Sequence, residues 1–347
     1  MATSSWSGTL NDWEVCLSTP LLKMGITPIS FTSYCYFCEC PLRFGFSKDQ
    51  RFPQKINPGA RMGSAFHAAI NKVYQQDLKL NAIIDLFQND LKIQRIESLK
   101  NYRERNLPWP RDLRETLENT LAAIFSNRAN SKRTGVKSYF ETTLVSKDRL
   151  IIGRPDMVIM TSEGPIIIDY KTGHFDQEYA SIFEDQILFY SGLWQEIHGN
   201  YPILGRVEFL LDGNSVEISI NKDKCISILA EVRKIANILK PLEEKLKAVI
   251  GDHCVTCDYR PWCNAYWSYD RKNNDLEGTI CHDHPRDSKS FCLKNNKKHQ
   301  IILNMSALPF PDWSFGTKVR ILDPIVTGNI YSKGFYSELF SVVCSGG

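Results

Sequence analysis

Apolar residues return every three or four positions between Arg61 and Gln76, where Phe66, Ile70, Val73 and Tyr74 fall on one side behind an Asn57-Pro58-Gly59 entry. That spacing predicts a helix carrying His67 in its first half. Helical spacing resumes from Leu80 to about Arg128 (Ile84, Phe87, Leu91, then Leu113, Leu117, Leu121, Ile124), interrupted by Leu107-Pro108-Trp109-Pro110. Two helices and a turn are expected there. The pattern then switches to β-branched and aromatic runs, predicting strands over Ser138–Leu144, Leu150–Met160 and Pro165–Lys171, with a hairpin turn at Thr161-Ser162-Glu163-Gly164. Ile182–His198 returns to a helix, Val207–Leu211 and Ser215–Ile220 form another strand pair, and Lys224–Ile250 reads as one long amphipathic helix. This order gives a mixed α/β core.

Beyond Trp267 the chain turns polar at Asp270-Arg271-Lys272-Asn273-Asn274-Asp275, and strand-like pieces follow at Gln300–Met305, Lys318–Leu322 and Tyr336–Val343. The expected division is an extension over 1–30, a main domain over 31–268, a linker over 269–298 and a small β-rich, OB-like domain over 299–347.

Composition narrows the class. With 347 residues, 43% hydrophobic and 23% charged, the chain has ordinary globular usage and room for about two domains. A net charge of +3, from 42 basic and 39 acidic residues, gives no global sign of a nucleic-acid partner. The start, MATSSWSGTLNDWEV, lacks a basic and apolar secretory pattern, and no run of about 18 apolar residues follows, so a cytoplasmic protein with no membrane partner is expected. In that compartment eleven cysteines suit metal ligation or burial better than disulfides.

The densest chemistry lies around the predicted hairpin. Asp169 and Lys171 are two apart on one strand and share a face, whereas Ile168 and Tyr170 take the other. Antiparallel pairing through the turn brings Asp156 beside Asp169, and two carboxylates at the end of an apolar hairpin repel unless a cation lies between them. Hard oxygen donors of this kind suit Mg²⁺ or Mn²⁺. Strand-end capping is the plain alternative for an isolated Asp-Tyr-Lys triplet. Glu141, in the preceding strand, is a further candidate acid.

Four motifs occur in a fixed order: Gly63-Ser64-Ala65-Phe66-His67, Gly153-Arg154-Pro155-Asp156, Asp169-Tyr170-Lys171-Thr172 and Gln186-Ile187-Leu188-Phe189-Tyr190. In this order the chain resembles the PD-(D/E)XK nuclease superfamily, in particular its RecB-like branch, over about Ser33 to Trp267. The resemblance implies a restriction-endonuclease-like core, a mixed sheet flanked by helices. It also implies that His67, Asp156, Asp169 and the carbonyl of Tyr170 hold the divalent metal. Lys171 would orient or activate water and offset phosphate charge, with Gln186 and Tyr190 as substrate-side or supporting residues. Gly63, one turn before His67, is expected to leave space for close approach over the histidine.

Cys254-Val-Thr-Cys257 and Cys263 place three soft ligands on a short loop, and a fourth must come from elsewhere. Cys40 is the first candidate, with Cys35 and Cys38 as alternatives. Zinc and an iron-sulfur cluster both suit four thiolates. The iron-sulfur members of the RecB-like branch combine one early and three late cysteines, which implies a 4Fe-4S staple through Cys40, Cys254, Cys257 and Cys263. A second site at Cys281, His282, His284 and Cys292 is a lesser option. The basic runs Arg128, Lys132, Arg133, Lys137 and Lys294, Lys297, Lys298 are candidate phosphate contacts, and Tyr259, Trp262, Tyr266 and Trp267 either stack on unpaired bases or pack around the cluster. The resemblance implies a DNA nuclease acting on single strands or ends, in repair, recombination or CRISPR adaptation, with helicase or adaptation partners. No helicase P-loop is present.

Overall fold

The computed structural model describes residues 28–49, 52, 58–75, 78–100, 109, 111–134, 137–210, 213–239, 246–269, 275–280, 290–295, 300–304, 316, 318–321, 325–327 and 330–332. The chain enters through α1 (Phe31–Glu39), capped by the Ser30 hydroxyl accepting from Ser33 N–H, and α2 (Pro41–Lys48), which begins with a proline where no amide donor is needed. Cys40 stands in extended backbone between them.

Three long helices follow: α3 (Pro58–Gln75), α4 (Leu80–Lys100) and α5 (Arg111–Thr134). Their apolar stripes meet, with Phe66, Ile70 and Val73 of α3 packed with Ile83, Phe87 and Leu91 of α4 and Leu113, Leu117 and Leu121 of α5. The two helices expected over residues 80–128 are present as α4 and α5, while the expected turn lies outside the described residues apart from Trp109.

A five-stranded sheet forms the centre, in the order β1 (Lys137–Phe140), β4 (Met157–Met160), β5 (Pro165–Lys171), β6 (Leu204–Phe209), β7 (Asn214–Ile218). Every neighbouring pair is antiparallel except β5 with β6. The crossover between those two is α6 (Ala180–His198), and α7 (Lys222–Ile238) packs beside it. β5 is buried on both faces, with Ile168 and Tyr170 in the core under α3–α5 and Ile167 in the core under α6 and α7. A near-continuous apolar run, rather than alternation, is what such a central strand requires. A separate pair, β2 (Leu144–Val145) and β3 (Ile152–Gly153), adjoins Ile29, which bridges to Ile151.

Several expectations shift. The continuous strand 138–144 stops at Phe140, and Glu141 takes a positive φ of 42° while its N–H donates to the Asp156 carbonyl. The strand 150–160 is likewise divided, at Arg154-Pro155-Asp156, where proline has no amide for a ladder. α7 ends at Ile238 instead of running to Ile250, because Pro241 lacks the helical donor and disfavours helix in the residue before it. Residues 246–250 are non-helical.

Strands also occupy part of the stretch read as a linker: β8 (Leu276–Ile280) and β9 (Ser290–Asn295). They join β10 (Gln300–Asn304), β11 (Lys318–Ile321), β12 (Ile325–Thr327) and β13 (Ile330–Ser332) in a sheet of order β11-β8-β9-β10-β13-β12. The polar run 270–275 ahead of β8 carries no strand pattern, which is why the stretch reads as a linker. Tyr336–Val343, Cys281, His282, His284, Lys297 and Lys298 lie outside the described residues, as do the side chains of Arg128, Lys132 and Arg133. Among the described residues no helix is long and apolar enough to cross a membrane.

Candidate active site

The carboxyl end of β5 brings the chemistry together. In the register Met157 faces Ile168, so the residue before β4, Asp156, comes level with Asp169 and its neighbour. The Tyr170 N–H donates to Asp156 Oδ2 at 2.7 Å, and His67 Nδ1, from α3, lies 3.3 Å from Asp156 Oδ1. Asp169 and Lys171 share a face as their spacing requires: Lys171 Nζ is 2.7 Å from Asp169 Oδ2. That oxygen has an ion-pair partner but receives no well-directed hydrogen bond, although Asp169 is only 3% exposed.

Gln186, nearly two turns into α6, fixes the group. Its Oε1 accepts from Lys171 Nζ at 2.8 Å, and its Nε2 donates to Asp169 Oδ1 at 3.2 Å and to Tyr190 Oη at 2.9 Å. Tyr190 sits four residues later on the same helical face. The Gln and Tyr therefore touch Asp169 and Lys171 through one amide, which makes Gln186 a positioning residue for both.

Electrostatics follow from burial. Asp156 is held well above the ordinary carboxylate range, first by desolvation and then by the charge of Asp169. His67 is lowered, mainly by desolvation, against the opposite pull of Asp169 and Glu141. It is therefore neutral near pH 7, the form that ligates metal. Burial is also the first cause that raises the Tyr190 phenol, with Asp169 next.

Two side chains complete the surroundings. Glu141 lies 3.7 Å from Arg154 Nη2, and Asn71 Nδ2 donates to its other oxygen at 3.4 Å. Asn71 went unread, although its place one helical turn past His67 is a signal that helical spacing carries. Gly63 serves differently from the expectation: a Cβ there would meet the Thr172 side chain at 3.3 Å, so the missing carbon admits the residue after Lys171, not an approach over His67.

A cation fits the donor set of His67, Asp156 and Asp169 by type, two carboxylates and a neutral imidazole. The geometry stops short of a cage. Among the described residues no group of three or more His, Cys, Asp and Glu side chains is gathered to hold an ion. Asp169 is turned to Lys171 and Gln186, and Asp156 to Tyr170 and His67.

The cysteines form a second locus. Cys40, Cys254, Cys257 and Cys263 line one cavity, although the first is more than two hundred residues from the others. Tight turns carry the late three, with Cys257 N–H donating to Cys254 O and Arg260 N–H to Cys257 O. Cys40 is joined to the same segment by the Val249 N–H, 3.4 Å from its sulfur. Cys35 and Cys38 lie elsewhere: Cys35 packs against the main core and Cys38 is exposed. Burial pushes the Cys257 thiol up to about 12 and raises Cys263. Four soft donors on one cavity suit a thiolate-bound metal by type, but among the described residues they too are not gathered closely enough to hold an ion. Tyr259, Trp262, Tyr266 and Trp267 are nearly fully buried around it, so they are packing residues and not base-stacking platforms.

Residues 28–264, about two thirds of the chain, match the family model of the PD-(D/E)XK nuclease superfamily. The chain belongs to that superfamily. PD-(D/E)XK proteins are generally nucleases that use divalent metals such as Mg²⁺, and the mixed sheet flanked by helices is the PD-(D/E)XK core. The search of curated proteins found no match.

Proposed function

We propose that the protein is a Mg²⁺- or Mn²⁺-dependent deoxyribonuclease of the RecB-like type, cutting single-stranded DNA or DNA ends as an exonuclease. The observation that carries this reading is the network at the end of β5, where Asp169, Lys171, Gln186 and Tyr190 are locked together beside Asp156 and His67. His67, Asp156, Asp169 and the Tyr170 carbonyl would hold the cation. When bound, the ion supplies an acidified water and positive charge for the phosphate oxygens.

The protein's own residues do the rest. Lys171 presents a fixed cation toward a phosphate oxygen, and because Gln186 holds it beforehand, little reorganisation is needed as charge builds. In the hydrolysis water's oxygen joins phosphorus as the bond from phosphorus to the leaving oxygen breaks, and the proton that water gives up is balanced by one taken up by the leaving oxygen from solvent. The four cysteines would carry a 4Fe-4S cluster with a structural role, supported by their convergence on one cavity. The division into residues 31–268 for this nuclease domain and a C-terminal β-rich unit belongs to the same proposal. Motif order supports a setting in DNA repair, recombination or CRISPR adaptation, where a partner would supply any unwinding.

A second reading, DNA binding without cleavage, is favoured by the partners the two carboxylates already have, Asp169 with Lys171 and Gln186 and Asp156 with Tyr170 and His67. End-labelled single- and double-stranded DNA with Mn²⁺ separates the two. Asp169→Asn is expected to reduce cleavage about a hundredfold or more, and Lys171→Ala to lower kcat more than it raises KM. Cleavage retained by Asp169→Asn rejects the site, and an inert wild type that still binds DNA selects the second reading.

A further inference from the structure

A cleft of about 520 Å³ is lined by the segment entering α6, the first turn of that helix and strands β6 and β7. Its floor is Val207, Phe209, Val216 and Ile218, and Phe175 and Phe183 form its walls. Phe209 sits across from Lys171 in the β5–β6 register, and the Phe183 ring centre is 5.4 Å from Lys171 Nζ. Two of the cleft's lining residues, Phe183 and Phe209, thus neighbour Lys171.

Its chemistry is that of a base site rather than a phosphate site. Phe175 and Phe183 are half-buried and set edge-on to Phe209, at 5.2 and 5.3 Å between ring centres, leaving flat apolar walls held in place by their own packing. None of the lining residues is Lys or Arg. The carboxylates at the mouth, Glu184 and Glu217, are already paired with Lys224 at 3.0 Å and Arg206 at 2.9 Å. Exposed Ser181 and Ser219 offer hydroxyls at the rim, where a base edge needs hydrogen-bond partners. A pocket this size exceeds what one base needs and lies in the range of small-ligand sites.

We propose that this cleft takes the unpaired nucleobase next to the scissile phosphate, with Phe175 and Phe183 as its stacking walls. The inference rests on the nuclease reading above and deepens it. A base can enter only after leaving its stack and its pair, so the cleft selects single strands and frayed ends over intact duplex.

The test reads binding in EDTA, which prevents cleavage, by fluorescence anisotropy with a labelled oligothymidylate and an abasic oligomer of equal length. Val216→Trp, on the edge strand away from the Lys171 network, fills the cleft. Its Kd for oligothymidylate is expected to weaken about tenfold, as loss of one base stack predicts, with no change for the abasic oligomer. Ser181→Trp, at an exposed position on α6, repeats the test should Val216→Trp not fold. An unchanged Kd in both variants, equal weakening for both oligomers, or no binding by the wild type overturns the proposal. Cleavage in Mn²⁺ is scored apart: base-dependent binding without cleavage keeps the cleft and rejects the nuclease, and cleavage with base-independent binding does the reverse.

Discussion

Asp156 is buried beside a second carboxylate, and its ionisation is resisted by both. The folded acid keeps its proton above the roughly 3.9 of an unfolded aspartate, so the charge it must bear removes stability as pH rises through the raised value. A bound cation reverses that, because it prefers the ionised form. Mg²⁺ or Mn²⁺ is therefore expected to raise Tm more at high than at low pH, because both Asp156 and His67 bind the ion in their deprotonated forms, and Asp156→Asn to shrink the ion's effect. Thermal melts with and without the ion check this, and a shift absent at high and low pH alike would contradict the ligand set. At this scale much was legible, since Asp169 with Lys171 and Gln186 with Tyr190 follow from periods of two and four. Glu141 was legible as a candidate acid, but its bend and its meeting with Asn71 were not, because they depend on how α3 lies across β1.

Gly153 shows what an element demands. A Cβ there would meet Leu193 Cδ1 at 2.8 Å and the rings of Tyr190 and Phe189 at 3.0 and 3.2 Å. β3 thus lies against α6 at a distance only glycine allows, next to the helix that carries Gln186. Gly153→Ala is expected to cost about 1–3 kcal/mol by overpacking, read as a lower Tm, and to weaken cleavage by displacing Gln186. An unchanged melting curve would show that α6 can yield. Apolar periodicity revealed α3 to α6 and β5 well. It overran α7 because the stripe alone was followed past Pro241, and it joined β3 to β4 because β-branched residues flank the break at Pro155.

Across the whole molecule the cysteine locus joins distant parts. Arg260, beside Cys257 and Cys263 in sequence, is buried in an ion pair with Asp275 at 3.0 Å, and Tyr266 donates to the same carboxylate at 2.6 Å. Arg320 of β11 donates to the Pro261 carbonyl at 2.7 Å and lies over the Trp267 ring. The C-terminal sheet is thereby tied to the turns that carry Cys254, Cys257 and Cys263. Cys257→Ala is expected to lose bound metal and to lower Tm by about 5 °C or more, whereas Cys38→Ala, exposed and remote, changes neither. Iron, sulfide and zinc analysis of anaerobically purified protein checks this and separates a 4Fe-4S cluster from zinc.

Short-range periods and motif order were enough to determine the class of fold, the strand bearing Asp169 and Lys171, and the family. These are properties of neighbouring residues, and local geometry expresses them wherever the segment lies. Which early cysteine joins the late three, how the two aspartates divide their partners, and the cleft beside Lys171 were decided only by tertiary packing. Each depends on residues far apart in sequence closing to a few ångströms, and the energy that closes them is spread over the two cores that enclose β5 and, for the cysteines, the smaller clusters around Trp262 and Trp267.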